Sequence, residues 1–447
     1  MEKIAIVGAG LVGSLQAIYM AKKGFQVSVY EGRDDMRKAA LSAGRSINLA
    51  LSNRGWKAIE VAGIKPEIEK MAIPMNGRMM HDVKGNTTFQ PYGKDGEAIY
   101  SVSRGGLNRQ LMNSADAFNN VTFFFNYKCE DIDLKTNTLH FEDRMSGKAV
   151  SVKADHIFAT DGAFSAIRTR LQKTDRFNYE QKFLAHGYKE LTIPAAKGGG
   201  FLMDKNALHI WPRGEFMLIA LANEDGSFTC TLFFPFEGKQ SFESLKTEKE
   251  VIEFFEEVFP DALKMMPAIG EEYFSNPTAS LVTIKCSPWN YKDQILLMGD
   301  SSHAIVPFYG QGMNSGFEDC TVFNNIFEDS NKNWEKSFTK FSDTRKKDAD
   351  AISDLALQNF IEMRDLVGDE DFLLRKKIEK RIFEKHPDKW MPLYSQVTFS
   401  HIPYSEALAA GKNQEKIMDT IMAIPNIAAK WDSEEIESEI LKMASNA

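Results

Sequence analysis

The chain has 447 residues, 43% of them hydrophobic and 26% charged, an ordinary globular balance with length for two or three packed units. A formal net charge of −8 argues against a nucleic-acid binder, whose phosphate contacts call for a lysine and arginine excess. Four cysteines, Cys129, Cys230, Cys286 and Cys320, lie far apart without a C-x-x-C pair, so neither a disulfide framework nor a zinc site is indicated and a reducing compartment fits.

The first apolar run, Ile4 to Val7, has no charged lead of the kind a signal peptide carries. No stretch approaches the roughly 18 to 20 apolar residues of a membrane span, and the segment from Trp431 to Ala447 is polar and acidic. A cytoplasmic protein without a membrane anchor is expected.

Lys3 to Val7 has the pattern of a buried strand, and it runs directly into Gly8-Ala9-Gly10-Leu11-Val12-Gly13. Leu11, Leu15, Ile18 and Tyr19 then recur at helical spacing, and Gly24 ends the helix. A second strand, Gln26 to Tyr30, ends at Glu31, 23 residues after Gly8. This is G-x-G-x-x-G in strand–turn–helix–strand context. Gly8 permits the tight turn, Gly10 lets backbone approach a pyrophosphate, and Gly13 lets helix and strand pack closely. The helix N-terminus offers free N–H groups and the positive end of its dipole. Glu31 stands where a carboxylate takes ribose hydroxyls. Dinucleotide binding is the reading, against a glycine turn used only for packing.

Two later strands end in acidic pairs. His156 to Thr160 precedes Asp161-Gly162, with a helix following to Arg168, and Ile295 to Met298 precedes Gly299-Asp300. An aspartate at the C-terminal end of a sheet strand sits where α/β folds bind ligands, although either one alone would more often cap a helix. Between them, residues 183–290 read mostly as strand, with a hairpin of Glu215 to Leu221 and Ser227 to Phe234 around Asn223-Glu224-Asp225-Gly226. Residues 330–447 have helical periodicity, as in Ile352, Leu355, Ala356, Asn359, Phe360 and Met363.

With these motifs in place the chain resembles the class A FAD-dependent aromatic hydroxylases, the para-hydroxybenzoate hydroxylase-like family. Its members share an N-terminal Rossmann fingerprint, a central Asp-Gly and a late Gly-Asp, here Gly8 to Gly13, Asp161-Gly162 and Gly299-Asp300. Longer segments resemble the kynurenine 3-monooxygenase branch of that family: Gly44-Arg45-Ser46-Ile47-Asn48-Leu49-Ala50-Leu51-Ser52, His209-Ile210-Trp211-Pro212-Arg213, Ser227 to Phe233, Pro307 to Asn314, and Ile361-Glu362-Met363-Arg364. The matches run from about residue 3 to about residue 405. The chain departs from mitochondrial members in having no hydrophobic tail.

The resemblance implies an α/β fold: a Rossmann-type FAD-binding domain, an inserted antiparallel β-sheet substrate domain, and a helical C-terminal region. The expected boundaries are 1–72, 101–182 and 290–330 for the discontinuous FAD-binding domain, 73–100 and 183–289 for the substrate domain, and 331–447 for the helices. It implies NADPH- and O2-dependent conversion of L-kynurenine to 3-hydroxy-L-kynurenine through a flavin C4a-hydroperoxide, a step of tryptophan degradation toward NAD precursors. FAD is the bound cofactor and NADPH the co-substrate. Hydroxylation of another aromatic acid, a flavin reductase that inserts no oxygen, and an FAD-holding interaction protein are the alternatives. Oligomeric state stays open, with a homodimer as one option.

Carried over residue by residue, the resemblance implies Arg78, Tyr92, Asn359 and Tyr394 as substrate contacts. A planar guanidinium grips a carboxylate bidentately, which suits Arg78. Phe308 and Tyr309 would line the ring pocket, a purely structural role for Tyr309 staying open. Cofactor contacts would come from Gly8, Gly10, Leu11, Val12 and Gly13, from Glu31, Arg33 and Ala50, and from Arg104 and Asp161. Asp300 would take the ribitol, and Gly312, Met313 and Asn314 would open a helix toward the flavin. No acid/base residue and no metal are expected; His303, His81 and His209 read as framework.

Overall fold

The computed structural model describes residues 2–38, 48–93, 96–362 and 370–445. Gly44, Arg45, Ser46 and Ile47 of one motif, and Met363 and Arg364 of another, lie outside the described residues. The chain forms two compact units. The first takes Met1–Ile73, Tyr100–Leu184 and Ser280–Ser353; the second takes Pro74–Ile99, Ala185–Ala279 and Asp354–Ala447. The expected helical region from residue 331 is therefore divided at Ser353, inside the unbroken helix Trp334–Ile361.

The first unit is built on a six-stranded sheet in the order Asn290–Tyr291, Ile295–Leu297, His156–Ala159, Lys3–Val7, Gln26–Glu31, Val121–Phe125. The last five are parallel to their neighbours, with Ile4 opposite His156 on one side and Val27 on the other. Strands covered on both faces must be apolar throughout, and Ile4 to Val7 and Ile295 to Leu297 are at most 2% exposed. From the central strand Lys3–Val7 the chain crosses by the helix Leu11–Lys22 to Gln26–Glu31, while His156–Ala159 pairs on the other side. The carboxyl end of that strand is thus a topological switch point, where open α/β sheets bind ligands.

A buried ionic cluster fixes the late Gly-Asp turn of this unit. Asp319, on the helix Gly312–Asp329, is fully buried. It accepts from the backbone N–H of Gly299 at 2.9 Å, from His303 Nε2 at 2.6 Å and from Arg345 Nε at 2.8 Å. Burial acts to raise the Asp319 carboxyl, but the His303 and Arg345 partners outweigh it and hold it below the usual carboxylate range. His303 also stacks on Trp289, centroids 5.1 Å apart. Both contacts tie the histidine into the interior of this unit.

In the second unit the strands run in the order Asn178–Ile193 (its part from Ala185), Phe228–Pro235, Met217–Ala222, Ala207–Pro212, Gly77–His81, Thr87–Pro91. All pairs are antiparallel except Gly77–His81 with Ala207–Pro212, which is parallel because the former arrives from the earlier segment 74–99 rather than through a hairpin. The expected hairpin at Asn223 is there, Met217 facing Phe233 and Ala222 facing Phe228. Helices Glu370–Lys385, Tyr404–Met422 and Glu434–Ser445 close over Ile378, Ile382, Ile417, Ile421, Ile436 and Ile440. Among the described residues no helix is long and apolar enough to cross a membrane, and no cluster of His, Cys, Asp or Glu is arranged to hold a metal.

Removing one partner of a buried ionic cluster leaves charge uncompensated. Asp319→Ala is expected to lower unfolding stability by about 3 to 5 kcal/mol, read as a shift in the urea midpoint. Because the folded carboxyl titrates lower than the unfolded one, its contribution is complete above the ordinary carboxylate range of about 4 and is lost as pH falls through the lowered value. The variant should therefore lose less stability on acidification than the parent.

Candidate functional site

The glycine turn is a place where two backbones touch. Gly8 takes φ of +99°, and a Cβ on it would stand 2.5 Å from the Thr160 carbonyl oxygen. A Cβ on Gly13 would run into the Gly8 carbonyl and the Thr160 hydroxyl. Neither position admits a side chain, so the loop closes onto the end of the strand His156–Ala159. At Gly10 the opposite holds: a Cβ there would meet nothing within 4 Å. That open side lies against the first turn of Leu11–Lys22, where Leu11, Val12 and Gly13 have amides ahead of the first intrahelical bond, Ser14 N–H to Gly10 O at 2.9 Å. Such an opening beside unpaired helix amides suits a phosphate.

Glu31 closes the turn from behind. Its carboxylate is buried and accepts from Ala9 N–H at 3.0 Å and from Arg33 N–H at 3.0 Å, with Arg33 Nε at 2.8 Å. Burial would raise this carboxyl, but the Arg33 hydrogen bonds and charge, with both backbone donors, hold it low. Arg33 itself is exposed. With Arg33 Nη2 at 3.3 Å as a fourth donor the carboxylate is fully engaged, so a ribose hydroxyl would bind it in exchange for the exposed Arg33 side chain.

The two later aspartates separate in kind. Asp161 caps the helix Ala166–Leu171 with one oxygen, accepting from Ala166 N–H at 2.8 Å and Ile167 N–H at 3.4 Å. Its other oxygen, Oδ1, is buried with no hydrogen-bond partner among the described residues. A buried acceptor left open is where a cofactor donor fits. Asp300 begins the turn Asp300–His303 with an exposed carboxylate, just after Gly299 at φ +60°.

Ala50 lies on the strand Asn48–Leu51, and Asn314 clamps that strand. The Asn314 amide donates to the Ala50 and Gly310 carbonyls at 2.8 Å each and accepts from Ser52 N–H at 2.9 Å. Its side chain is committed internally, which leaves the backbone of Gly312, Met313 and Asn314, at the start of Gly312–Asp329, as that helix's offering. Phe308 and Tyr309 are buried in the short turn Pro307–Tyr309 before it. Arg104 is exposed at the first position of Arg104–Asp116, whose cap Ser103 accepts from Gly106 N–H at 3.3 Å.

The sequence reading missed two residues behind the turn. Thr160 donates its hydroxyl to the Val7 and Gly8 carbonyls at 2.9 Å, and Asn108 donates to the Ala9 carbonyl at 3.1 Å. Both hold the loop's carbonyls inward. Only the Thr160-Asp161-Gly162 motif hinted at the first, and nothing local hinted at the second.

In the second unit Arg78 is brought to Tyr92 and Tyr394. Arg78 is half-buried on the strand Gly77–His81; Tyr92 follows Thr87–Pro91, its N–H donating to the Asn76 carbonyl at 3.2 Å. Tyr394 comes from the helix Leu393–Thr398. The two phenol rings stack, centroids 5.3 Å apart and 13° from parallel, and the guanidinium carbon lies 4.8 Å from the Tyr394 centroid and 5.7 Å from that of Tyr92. Phe399, unforeseen from sequence, backs both rings at 6.0 Å. Burial first, and the neighbouring Tyr394 next, push the Tyr92 hydroxyl well above its ordinary range against the pull of Arg78, so it stays a neutral donor. Asn359 is buried at the end of Trp334–Ile361 in the same unit.

An arginine held over aromatic faces keeps its charge at modest desolvation cost, and its planar guanidinium suits a carboxylate. Such a group recognises a carboxylate. In the first unit, Glu31→Ala is expected to release FAD during gel filtration, and Gly13→Ala to prevent its retention. Full flavin absorbance in both purified variants would contradict the placement.

Residues 1–327 match the family described as FAD binding domain. A kynurenine 3-monooxygenase of Flavobacterium johnsoniae is 53% identical over 441 residues, covering 99% of this chain and 98% of its own. One from Christiangramia forsetii is 51% identical over 442 residues, with the same coverage. Among solved structures, a tetrameric form of 2-methyl-3-hydroxypyridine-5-carboxylic acid oxygenase shares the fold at a TM-score of 0.65 and 17% identity, covering 82% of this chain and 94% of that one. The glycine cradle, the two strand-end aspartates and this near full-length identity have one reading: the chain belongs to the kynurenine 3-monooxygenase family of FAD-dependent aromatic hydroxylases.

Proposed function

We propose that the chain hydroxylates L-kynurenine at ring position 3, giving 3-hydroxy-L-kynurenine with NADPH and O2 as co-substrates. The observation that carries this reading is Arg78 lying against the stacked Tyr92 and Tyr394, in a chain whose relatives have that activity in their names. FAD, when bound, supplies the activated oxygen and receives the electrons of NADPH.

The chain's own part is binding, orientation and exclusion of water. Leu11, Val12 and Gly13 offer amides to the pyrophosphate at the opening beside Gly10. Glu31, with Arg33 beside it, takes the adenosine ribose; exposed Asp300 takes the ribitol hydroxyls. The open Oδ1 of Asp161 accepts from the same ligand, and Ala50 and Arg104 complete its surround. The first amides of Gly312–Asp329 face developing negative charge, which a helix N-terminus favours.

Arg78 binds the α-carboxylate of the substrate bidentately, and the neutral Tyr92 hydroxyl donates a further hydrogen bond to it. Tyr394 and Asn359 meet the remaining polar groups. No residue acts as acid or base, because the aniline amine already makes the ortho carbon electron-rich. Holding that carbon in line and dry is the catalytic contribution.

Loss of a desolvated arginine–carboxylate pair costs about 3 kcal/mol, so Arg78→Ala should raise the KM for L-kynurenine by on the order of a hundredfold with FAD fully bound. An analogue lacking the α-carboxylate should bind the parent and the variant equally. A variant that keeps its preference for L-kynurenine over that analogue overturns the assignment of Arg78. Better turnover of another aromatic acid by the parent protein would move the substrate while leaving the carboxylate site in place.

A further inference from the structure

The motif His209-Ile210-Trp211-Pro212-Arg213 contributes no residue to the sites above, yet it surrounds the end of the strand that bears Arg78. His81 ends that strand. Its Nδ1 lies 2.7 Å from Asp261 Oδ2 and its Nε2 lies 2.9 Å from His209 Nδ1. The His209 Nε2 lies 2.8 Å from the Asp204 carbonyl, and Trp211 Nε1 donates to Asp261 Oδ2 at 2.9 Å. His81 also stacks on Trp211, centroids 3.9 Å apart. The two histidines and Trp211 are at most 4% exposed.

The protons in this array can be assigned by valence. A carbonyl only accepts, so His209 carries its proton on Nε2. Burial first of all pushes the His209 ring down to about 4, which keeps it neutral with Nδ1 bare. His81 must then donate from Nε2. At its other nitrogen it meets Asp261, whose carboxyl would be raised by burial but is held low by the hydrogen bonds from His81 and Trp211. Both ring nitrogens of His81 are therefore tied to fixed partners, Asp261 on one side and His209 on the other.

We propose that His81 is a positioning residue that fixes the register of the strand Gly77–His81 and so places Arg78. The need for such a stake is visible in the sheet. The neighbouring strand Thr87–Pro91 lies at the sheet edge and is mostly exposed, so no apolar pattern sets its register. The Arg78 strand is held between it and Ala207–Pro212, with Arg78 opposite Gln90 and Leu208. A slip of one residue would turn Arg78 to the other face. The His81 side chain, and the His81 and Asp82 carbonyls that accept from Arg213 at 3.0 Å each, prevent that slip.

This inference rests on Arg78 being the carboxylate site, and a double-mutant cycle separates the two. The FAD-loaded full-length protein would be measured as the parent, His81→Gln, Asp261→Asn, Arg78→Ala and the two doubles with Arg78→Ala. His81→Gln and Asp261→Asn are each expected to raise the L-kynurenine KM roughly tenfold with kcat and flavin content near the parent's, and to add nothing in the Arg78→Ala background. A loss that persists undiminished in that background, an unchanged KM, or parallel losses of kcat and flavin would overturn the positioning role. Unaltered kynurenine affinity in Arg78→Ala alone would instead remove the carboxylate site and this inference with it. Should His81→Gln not fold, the cycle with Asp261→Asn decides.

Discussion

The contact on which the first unit depends is the approach of the Gly8–Gly13 turn to the end of the strand at Thr160. With a Cβ at Gly8 or Gly13 the loop could not close against that backbone. With the loop displaced, the amides of Leu11, Val12 and Gly13 would no longer converge beside Gly10. Everything around the turn serves the same end. Thr160 and Asn108 hold loop carbonyls inward, and Glu31 holds the Ala9 amide. Asp319 does for Gly299 and Asp300 what Glu31 does for Ala9, taking a backbone N–H onto a buried carboxylate that is itself neutralised by cations. Both devices spend a paired charge to fix a turn that has no apolar means of being fixed.

The second unit handles charge differently. Arg78 lies against stacked phenol rings, with Phe399 behind them, so aromatic faces cover part of the guanidinium. Burial keeps the Tyr92 hydroxyl protonated next to a cation, giving two donors. Two paired strands supply Arg78 and Tyr92, and a short helix far downstream in sequence supplies Tyr394.

That difference sets what the sequence makes legible. The Lys3–Val7 strand, its glycine turn and Glu31 are readable because their geometry is local and each residue type has a steric or electrostatic reason at its position. The hairpin at Asn223 is readable for the same reason. The Arg78 cluster is not: spacing cannot bring Tyr394 to Tyr92, and these residues were reached only through resemblance. Phe399 and Asn108 lack even that signal, since packing behind a site leaves no motif. Asn314 was expected at the cofactor, but its side chain is spent on Ala50, Gly310 and Ser52, which only the fold reveals. The division at Ser353 was equally hidden, because Trp334–Ile361 continues through it as one helix with uniform periodicity.

The account's central claim is that an aniline ring carrying an α-amino-acid side chain is the substrate of a flavin-dependent hydroxylation. It is tested most directly by NADPH oxidation with the FAD-loaded protein, with and without L-kynurenine, and mass spectrometry of the product. The account predicts faster oxidation with kynurenine and a product heavier by one oxygen atom, placed ortho to the amine. Unchanged oxidation and recovery of kynurenine without added oxygen would contradict it.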